Sequence, residues 1–203
     1  IERVITRYDY DPRKSQQLME EAGFAKGADG FFVRDGTRFQ VGVWASSGAK
    51  NEKENAVIVG SLHKSGFDAT THVFSAAQLA DAQARALIPG LGTRGIATRP
   101  LSANISAAIP RAENRWTGEN RGGWANPLYD RAFEGFSRAL DRNERIQHNA
   151  ELEQVYTQEL PSIPHWFSPS ITAYTSQLSG PVARLTPDST TAIHHIHEWE
   201  WRS

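Results

Sequence analysis

A strand, a helix and a second strand follow one another in the first half of the chain, and this succession constrains the fold more than any other feature. Alternating apolar residues over 39–43 predict the first strand. Apolar residues at helical spacing over 51–65 predict an amphipathic helix, which ends at Gly66. The threonine-rich segment 67–75 predicts the second strand. The result is a βαβ-like unit, which is typical of an α/β domain with a parallel or mixed sheet.

Helix starts and stops are marked along the rest of the chain. Asp11 followed by Pro12 predicts a helix that ends at Gly23, because an N-cap aspartate accepts first-turn N–H groups and proline fits the first helical position. Asn126 followed by Pro127 predicts a helix start of the same kind. Asp35 and Gly36 predict a hairpin turn that leads into the strand over 39–43. Helices are predicted over 75–87 and from the Asp141 and Glu144 capping box to Pro161. A glycine-rich strand or loop is predicted over 89–100, and strands over 163–174 and 192–201.

Composition excludes several classes of protein. The formal charge of -1, with no Lys/Arg run longer than two, predicts no nucleic-acid partner. The absence of cysteine excludes a disulfide framework, a thiolate metal site and a cysteine nucleophile. No apolar run approaches the roughly 18 to 20 residues of a membrane span. The first residues, IERVITRYDYDPRK, contain no initiator methionine or apolar leader, so we expect the sequence to begin within a longer protein and any signal segment to lie upstream.

Residues 90–95, GLGTRG, fit the G-x-G-x-x-G pattern in which glycines let a backbone approach a pyrophosphate ahead of a helix. The context differs from a dinucleotide site. Pro89 precedes the pattern, Pro100 follows it, and no long helix opens at Gly95. We therefore interpret the glycines as part of a strand that needs a close backbone approach.

A histidine-rich stretch, HHIHEWE over 194–200, is the strongest candidate metal tract. Strand alternation would place His195 and His197 on one face, where two imidazoles could share zinc or nickel. A half-buried edge strand shows the same alternation of aromatic residues and histidine, and we prefer that interpretation. The sequence also lacks G-x-S-x-G and H-E-x-x-H, so it predicts no enzyme, no cofactor and no resident metal.

The segment NRWTGENRGGWANPLYD, residues 114–130, concentrates recognition chemistry. Trp116 and Trp124 offer stacking surfaces, Asn120 offers amide hydrogen bonds, and Arg115 and Arg121 offer guanidinium groups for anions. Such a loop suits a small polar ligand. An equally weighted interpretation is that its glycines only make turns and its tryptophans only cap the core.

Three segments match one family in order and spacing. They are DYDPRKSQQLMEEAGF over 9–24, AVIVGSLHKSGFDATTHVF over 56–74, and GENRGGWANPLYDRAFEGFSRALDRNERIQHNAELEQVYTQELPSIPHW over 118–166. Together they resemble the extracellular solute-binding proteins of family 5, the dipeptide, oligopeptide and nickel type that feed ABC importers.

This resemblance implies a lobe of the periplasmic-binding-protein type II fold, with a mixed sheet flanked by helices. Family members enclose their ligand between two lobes that close by a hinge motion. We therefore expect residues 1–175 to form the second, ligand-binding lobe, and residues 176–203 to be a return segment whose strand joins the missing N-terminal lobe.

Peptide-binding members of the family carry Gly-Trp-x-x-Asp-Tyr-x-x-Pro, whose aspartate pairs with the α-amino group of the ligand. The matching stretch is GTRGIATRP over 92–100, with Thr93 at the tryptophan position and Ile96 at the aspartate position. Loss of the carboxylate removes the charge-assisted bond to an ammonium group. Arg94 and Arg99 favour an anionic or hydroxyl-rich ligand instead.

The resemblance implies a non-enzymatic substrate-binding component of an ABC uptake system, in the periplasm or outside the cell membrane and either free or tethered. It would deliver a small polar solute, peptide-like or anionic, to the membrane permease. The predicted ligand-binding residues are Gly92, Thr93, Arg94, Gly95, Asn120, Arg121 and Trp124. The alternatives are a sensory or interaction module that keeps the lobe without transport, and a nickel or zinc scavenger that uses His195 and His197.

Overall fold

The computed structural model describes residues 2–95, 100–166, 173–180 and 196–202. The chain divides into two compact units, one made of Ile1–Arg94 with Leu101–Pro161 and the other of Gly95–Pro100 with Ser162–Ser203. The described part of the first unit contains the strands β1 Ala25–Lys26, β2 Phe32–Arg34, β3 Thr37–Arg38, β4 Gln40–Ser46, β5 Asp68–Phe74 and β6 Leu91–Gly92, and the helices α1 Pro12–Glu21, α2 Ala49–Ser65, α3 Ala76–Ala80, α4 Ala82–Ala86, α5 Pro127–Arg138 and α6 Arg142–Glu159. Short 3₁₀ turns at Leu101–Asn104, Ser106–Ala108 and Ala112–Asn114 connect β6 to α5.

A parallel sheet with the strand order β5-β4-β6 forms the centre of this unit. Helix α2 connects β4 to β5 and packs on the sheet, where Val43, Val59 and Ala69 form a buried cluster. The helix ends at Gly66, whose left-handed φ of 96° suits a glycine C-cap. The predicted βαβ unit is therefore confirmed.

The predicted turn at Asp35 and Gly36 is also confirmed, since both residues have positive φ and join the antiparallel strands β2 and β3. The prediction was wrong in extending the hairpin into the strand over 39–43. The hairpin ends at Arg38, and β4 begins two residues later in the parallel sheet. The Phe39 ring packs against Phe24 and Phe67, so aromatic burial directs the chain from one sheet to the other.

The helix predicted over 75–87 is divided into α3 and α4 at Asp81. The Asp81 carboxylate accepts the N–H groups of Gln83 and Ala84, and the residue itself has an extended backbone. An aspartate that bonds nearby backbone N–H groups competes with a continuous helix. Its side chain therefore starts a new helix where the sequence pattern predicted one uninterrupted element.

Helices α5 and α6 pack against each other around a second core. Asn126 and Asp141 cap them as predicted, each accepting two first-turn N–H groups. Tyr129, Ala132 and Leu152 are buried at the centre of this core. Partly buried residues surround them: Leu101, Ile105, Trp124, Phe133, Phe136, Val155 and Tyr156.

The described part of the second unit contains an antiparallel pair, β7 Leu178–Ser179 with β8 Glu200–Trp201. The strand predicted over 192–201 was too long, because Ile196–Glu198 form a 3₁₀ turn closed by the bond from the Trp199 N–H to the Ile196 carbonyl. Residues 163–166 and 173–174 are likewise not part of a strand. The rest of these two predicted segments, 167–172 and 192–195, lies outside the described residues.

Asp68, at the start of β5, makes the stability of the fold depend on pH in the acid range. Its carboxylate accepts hydrogen bonds from Gln40 at 3.0 Å and Arg38 at 3.3 Å, and these contacts, that with Gln40 foremost, lower its pKa. A lowered folded-state pKa stabilises the fold above the unfolded pKa of about 3.9, and the contribution is lost as the pH falls through the folded pKa. We expect Asp68→Asn to flatten the acid limb of urea-unfolding stability measured below about pH 5. An identical limb in the two proteins would contradict this assignment.

Candidate functional site

The candidate site lies at the carboxyl-terminal ends of β4 and β6, which are neighbours in the parallel sheet. The chain leaves β4 through α2 to β5 on one side, whereas β6 lies on the other side, so the strand order reverses at β4. In open α/β sheets, ligands bind outside the carboxyl ends of strands at such a reversal. The topology therefore indicates that a ligand would bind at the segment that follows β6.

Gly90, the residue before β6, allows the chain to approach β4 closely. Gly90 has a φ of 120°, and a Cβ at this position would collide with the Gly42 carbonyl. A Cβ at Gly92 would lie 2.8 Å from the Ile88 side chain. The first helix described after this segment is only the 3₁₀ turn Leu101–Asn104. The interpretation of GLGTRG as a strand with a close backbone approach is confirmed for Gly90 and for β6 itself, whereas residues 93–95 are not part of a strand.

Thr93 fixes the end of β6 through hydrogen bonds to β4 and α2. Its N–H donates to the Trp44 carbonyl at 2.8 Å, and its hydroxyl lies 3.0 Å from Asn55 Oδ1 and 3.2 Å from the same carbonyl. Asn55 is 1% exposed and donates from Nδ2 to the Val43 carbonyl at 2.8 Å. Sequence reasoning missed Asn55. Its position four residues before Val59, on the apolar face of α2, was the available signal.

Replacing Thr93 with valine should destabilise the end of β6. Of the two acceptors near the hydroxyl, Asn55 Oδ1 is the closer, and valine leaves this buried oxygen without its donor, at a cost of about 1–3 kcal/mol. Urea unfolding of Thr93→Val measures the loss, and Thr93→Ser, which keeps the hydroxyl, is the matched control. Equal stability of the valine and serine variants would show that the contact with Asn55 contributes nothing.

An ion pair connects the end of β6 to the loop before α5. Arg94 Nη2 lies 3.3 Å from Glu119 Oε2. Arg121 lies two residues further on, where its N–H donates to the Glu119 carbonyl at 2.9 Å. Its side chain is half-buried, and burial, followed by the positive charges of Arg94 and Arg85, lowers its pKa. Of the predicted residues, the structure thus brings Arg94 and Arg121 together, and it adds Arg85, which sequence reasoning missed.

Asn120 and Trp124 face the interior of the protein. Asn120 is 3% exposed, and its Nδ2 donates to the carbonyls of Asn104, Ile105 and Trp124 at 3.0, 3.2 and 2.7 Å. The Trp124 indole donates to Glu159 at 2.6 Å, and its ring contacts aromatic rings of α5 and α6. For these two residues the contacts favour the interpretation of the loop as a core cap.

The remaining candidates fall elsewhere. Gly95 belongs to the second unit, and Ile96, Arg99 and His195 lie outside the described residues. His197 is exposed on the 3₁₀ turn Ile196–Glu198. Within the described residues, no three histidine, aspartate or glutamate side chains form a group that could hold a metal ion.

Two shallow grooves lie on the first unit. One, of about 470 Å³, follows α5 and α6 and is lined by Phe136, Leu140, Arg142, Arg145, Ile146 and Asn149. The other, of about 350 Å³, lies between β4 and the helices α3 and α4 and is lined by Trp44, Gln78, Asp81, Gln83, Ala84, Leu87, Ile88 and Pro89. Neither groove is lined by Thr93, Arg94 or Arg121. No helix among the described residues is long and apolar enough to cross a membrane.

No family model and no curated protein matches the sequence, but solved structures match the fold. NikZ from Campylobacter jejuni, in complex with Ni(L-His), is 17% identical with a TM-score of 0.72, covering 96% of this chain and 40% of that protein. The oligopeptide-binding protein AppA from Bacillus subtilis, in complex with a nonapeptide, is 18% identical with a TM-score of 0.67. This match covers 98% of this chain and 39% of AppA. A mannohexaose-bound periplasmic oligopeptide-binding protein from Thermotoga maritima is 20% identical with a TM-score of 0.62. This match covers 79% of this chain and 31% of that protein.

These matches define the fold class, that of the periplasmic solute-binding proteins of ABC transporters, as the sequence predicted. Within that class, the chain spans about 40% of the length of NikZ and AppA. It therefore corresponds to a portion of the architecture that those proteins contain. That portion contains the parallel sheet around β4 and the helices beside it.

Proposed function

We propose that the chain is the C-terminal part of a family 5 solute-binding protein, the substrate-binding component of an ABC uptake transporter. It captures a small polar solute outside the cell membrane, in the periplasm or an equivalent extracellular location, and delivers it to the permease. It catalyses no reaction. The shared fold supports this proposal. So do the three segments that resemble the family, over 9–24, 56–74 and 118–166.

One observation carries the proposal. The end of β6, at the strand-order reversal, is joined to the loop before α5 by the ion pair between Arg94 and Glu119. Polar and charged groups from two segments distant in sequence thus meet where this topology places ligands. The half-buried Arg121 belongs to the same cluster.

The fold alone does not determine the solute. The three structures compared above hold a nickel–histidine complex, a nonapeptide and an oligosaccharide on one architecture. Function is a property of the site and not of the fold, so the solute must be inferred from the side chains of this chain. A two-lobed protein buries most of its ligand on closure, and the opposing lobe is the partner that this chain requires for tight binding.

Titration calorimetry on the full-length protein tests the proposal. Panels of peptides, oligosaccharides, organic acids, sugar phosphates and nickel complexes should include a solute that binds tighter than about 1 mM, equivalent to about 4 kcal/mol. A strain without the protein should also lose uptake of that solute. Failure of every panel to bind would contradict the proposal, whereas binding without an effect on uptake would favour a sensory module on the same fold.

A further inference from the structure

Arg121 is a half-buried cation without an acceptor in the described part of the chain. Its backbone N–H closes a tight turn onto the Glu119 carbonyl at 2.9 Å, but its guanidinium forms no hydrogen bond or ion pair with any described residue. A guanidinium has five N–H donors, and partial burial without a protein acceptor removes some of the water that would satisfy them. A group retained under these conditions is suited to an acceptor supplied by a ligand.

The charges around Arg121 are unbalanced. Arg94 and Arg85 repel its positive charge, and Glu119 is the one described carboxylate that offsets it. That carboxylate is also engaged by Arg94, at 3.3 Å. Two neighbouring guanidinium groups act on Arg121 and one carboxylate offsets them, which leaves a local excess of positive charge at Arg121 and favours a bound anion.

The backbone holds two of these cations in place before any ligand arrives. Thr93, next to Arg94, is tied to β4 by its N–H and close to Asn55 by its hydroxyl. Arg121 follows Asn120, whose buried amide donates to three carbonyls. Hydrogen bonds that fix both neighbours hold the backbone of Arg94 and Arg121, so binding has to order only their side chains.

We propose that the arginine cluster of Arg85, Arg94 and Arg121 binds a carboxylate or phosphate group of the solute. Arg121 donates its free N–H groups to the oxyanion, and Arg94 shifts from Glu119 towards it. Arg85, which is held to the Leu79 carbonyl, supplies charge at longer range. The proposal rests on the proposed function for the transport of this solute, but anion binding can be measured without transport.

The test compares matched acidic and neutral probes on the full-length protein by calorimetry. The pairs are an N-acetylated dipeptide with its C-terminal amide, gluconate with glucose, and glucose 6-phosphate with glucose. The acidic member of at least one pair should bind at least about tenfold tighter, and which pair responds separates carboxylate from phosphate recognition. Equal affinities within every pair, or no binding of any acidic probe, would overturn the proposal.

Substitutions locate the binding of the preferred probe. Arg121→Gln should weaken it about 10- to 100-fold, and Arg121→Lys should weaken it less because the charge remains while the planar fork is lost. Arg138→Gln is the matched control, since Arg138 is 77% exposed and pairs with Glu134 on α5. An unchanged affinity in a folded Arg121→Lys or Arg121→Gln variant would overturn the assignment.

The same measurements separate this proposal from the proposed function. If peptides or sugars bind and are taken up but acidic and neutral probes are equivalent, solute transport stands and the anion site fails. If an acidic probe binds through Arg121 but no solute depends on the protein for uptake, the anion site stands and the transport role fails.

Discussion

Replacing Tyr129 with alanine should lower the free energy of unfolding by about 3–5 kcal/mol. Tyr129 is 1% exposed and packs with Ala132 and Leu152 at the centre of the core between α5 and α6. Removal of the ring takes away its buried apolar surface and leaves a cavity, because close-packed helices relax only partly around a deletion. Urea unfolding followed by tryptophan fluorescence measures the effect.

Two further variants divide the expected loss into its causes. Tyr129→Phe keeps the ring but removes the hydroxyl that donates to the Leu101 carbonyl at 3.0 Å, so it should cost about 1–2 kcal/mol. Leu140→Ala is the control for an apolar deletion outside the core, because Leu140 is 99% exposed, and it should change stability by less than about 0.5 kcal/mol. Similar losses for Tyr129→Ala and Leu140→Ala would contradict the position of the core.

The helix ends could be predicted from the sequence because single residues decide them. Asp11, Asn126 and Asp141 each supply a carboxylate or amide oxygen to first-turn N–H groups, and Gly66 adopts the left-handed conformation that ends α2. These are local interactions, which depend little on the rest of the fold. The same argument explains the correct turn at 35–36.

One error arose where distant residues decide the local structure, and another where a local cap competes with a helical pattern. Phe39 leaves the hairpin because Phe24 and Phe67 surround its ring, and Phe67 is 28 positions away in the sequence. At Asp81 the reason was local, but the cap competed with a helical pattern that allowed either outcome. Periodicity identifies elements, whereas the choice of sheet depends on packing.

The candidate site was predictable in part. The family resemblance placed Arg94 and Arg121 among the ligand-binding residues, and the structure brings them together around Glu119. Their contact with a ligand stays a prediction. Residue type alone could not show that Asn120 and Trp124 face the interior, because an amide or indole offers the same groups to a ligand and to a buried carbonyl or carboxylate.

Replacing Gly90 with alanine should have the second large effect, a loss of about 2–6 kcal/mol. Two terms contribute: the φ of 120° costs an alanine about 1–3 kcal/mol, and the displacement needed to relieve the clash with the Gly42 carbonyl costs about as much again. Gly36→Ala is the matched control, since Gly36 has a φ of 76° and open space around the added Cβ. It should lose only the conformational term, about 1–2 kcal/mol.

The difference between Gly90→Ala and Gly36→Ala in urea unfolding therefore measures the packing of β6 on β4. The same packing positions Thr93 and Arg94, which follow β6 directly. In the absence of urea, where the variant is folded, Gly90→Ala should thus also weaken binding of an acidic probe. Gly36→Ala should leave that affinity unchanged. Equal stability losses in the two variants would mean that β6 moves away from β4 at no cost. The position of Arg94 beside Glu119 would then lose the rigid support that the anion site requires.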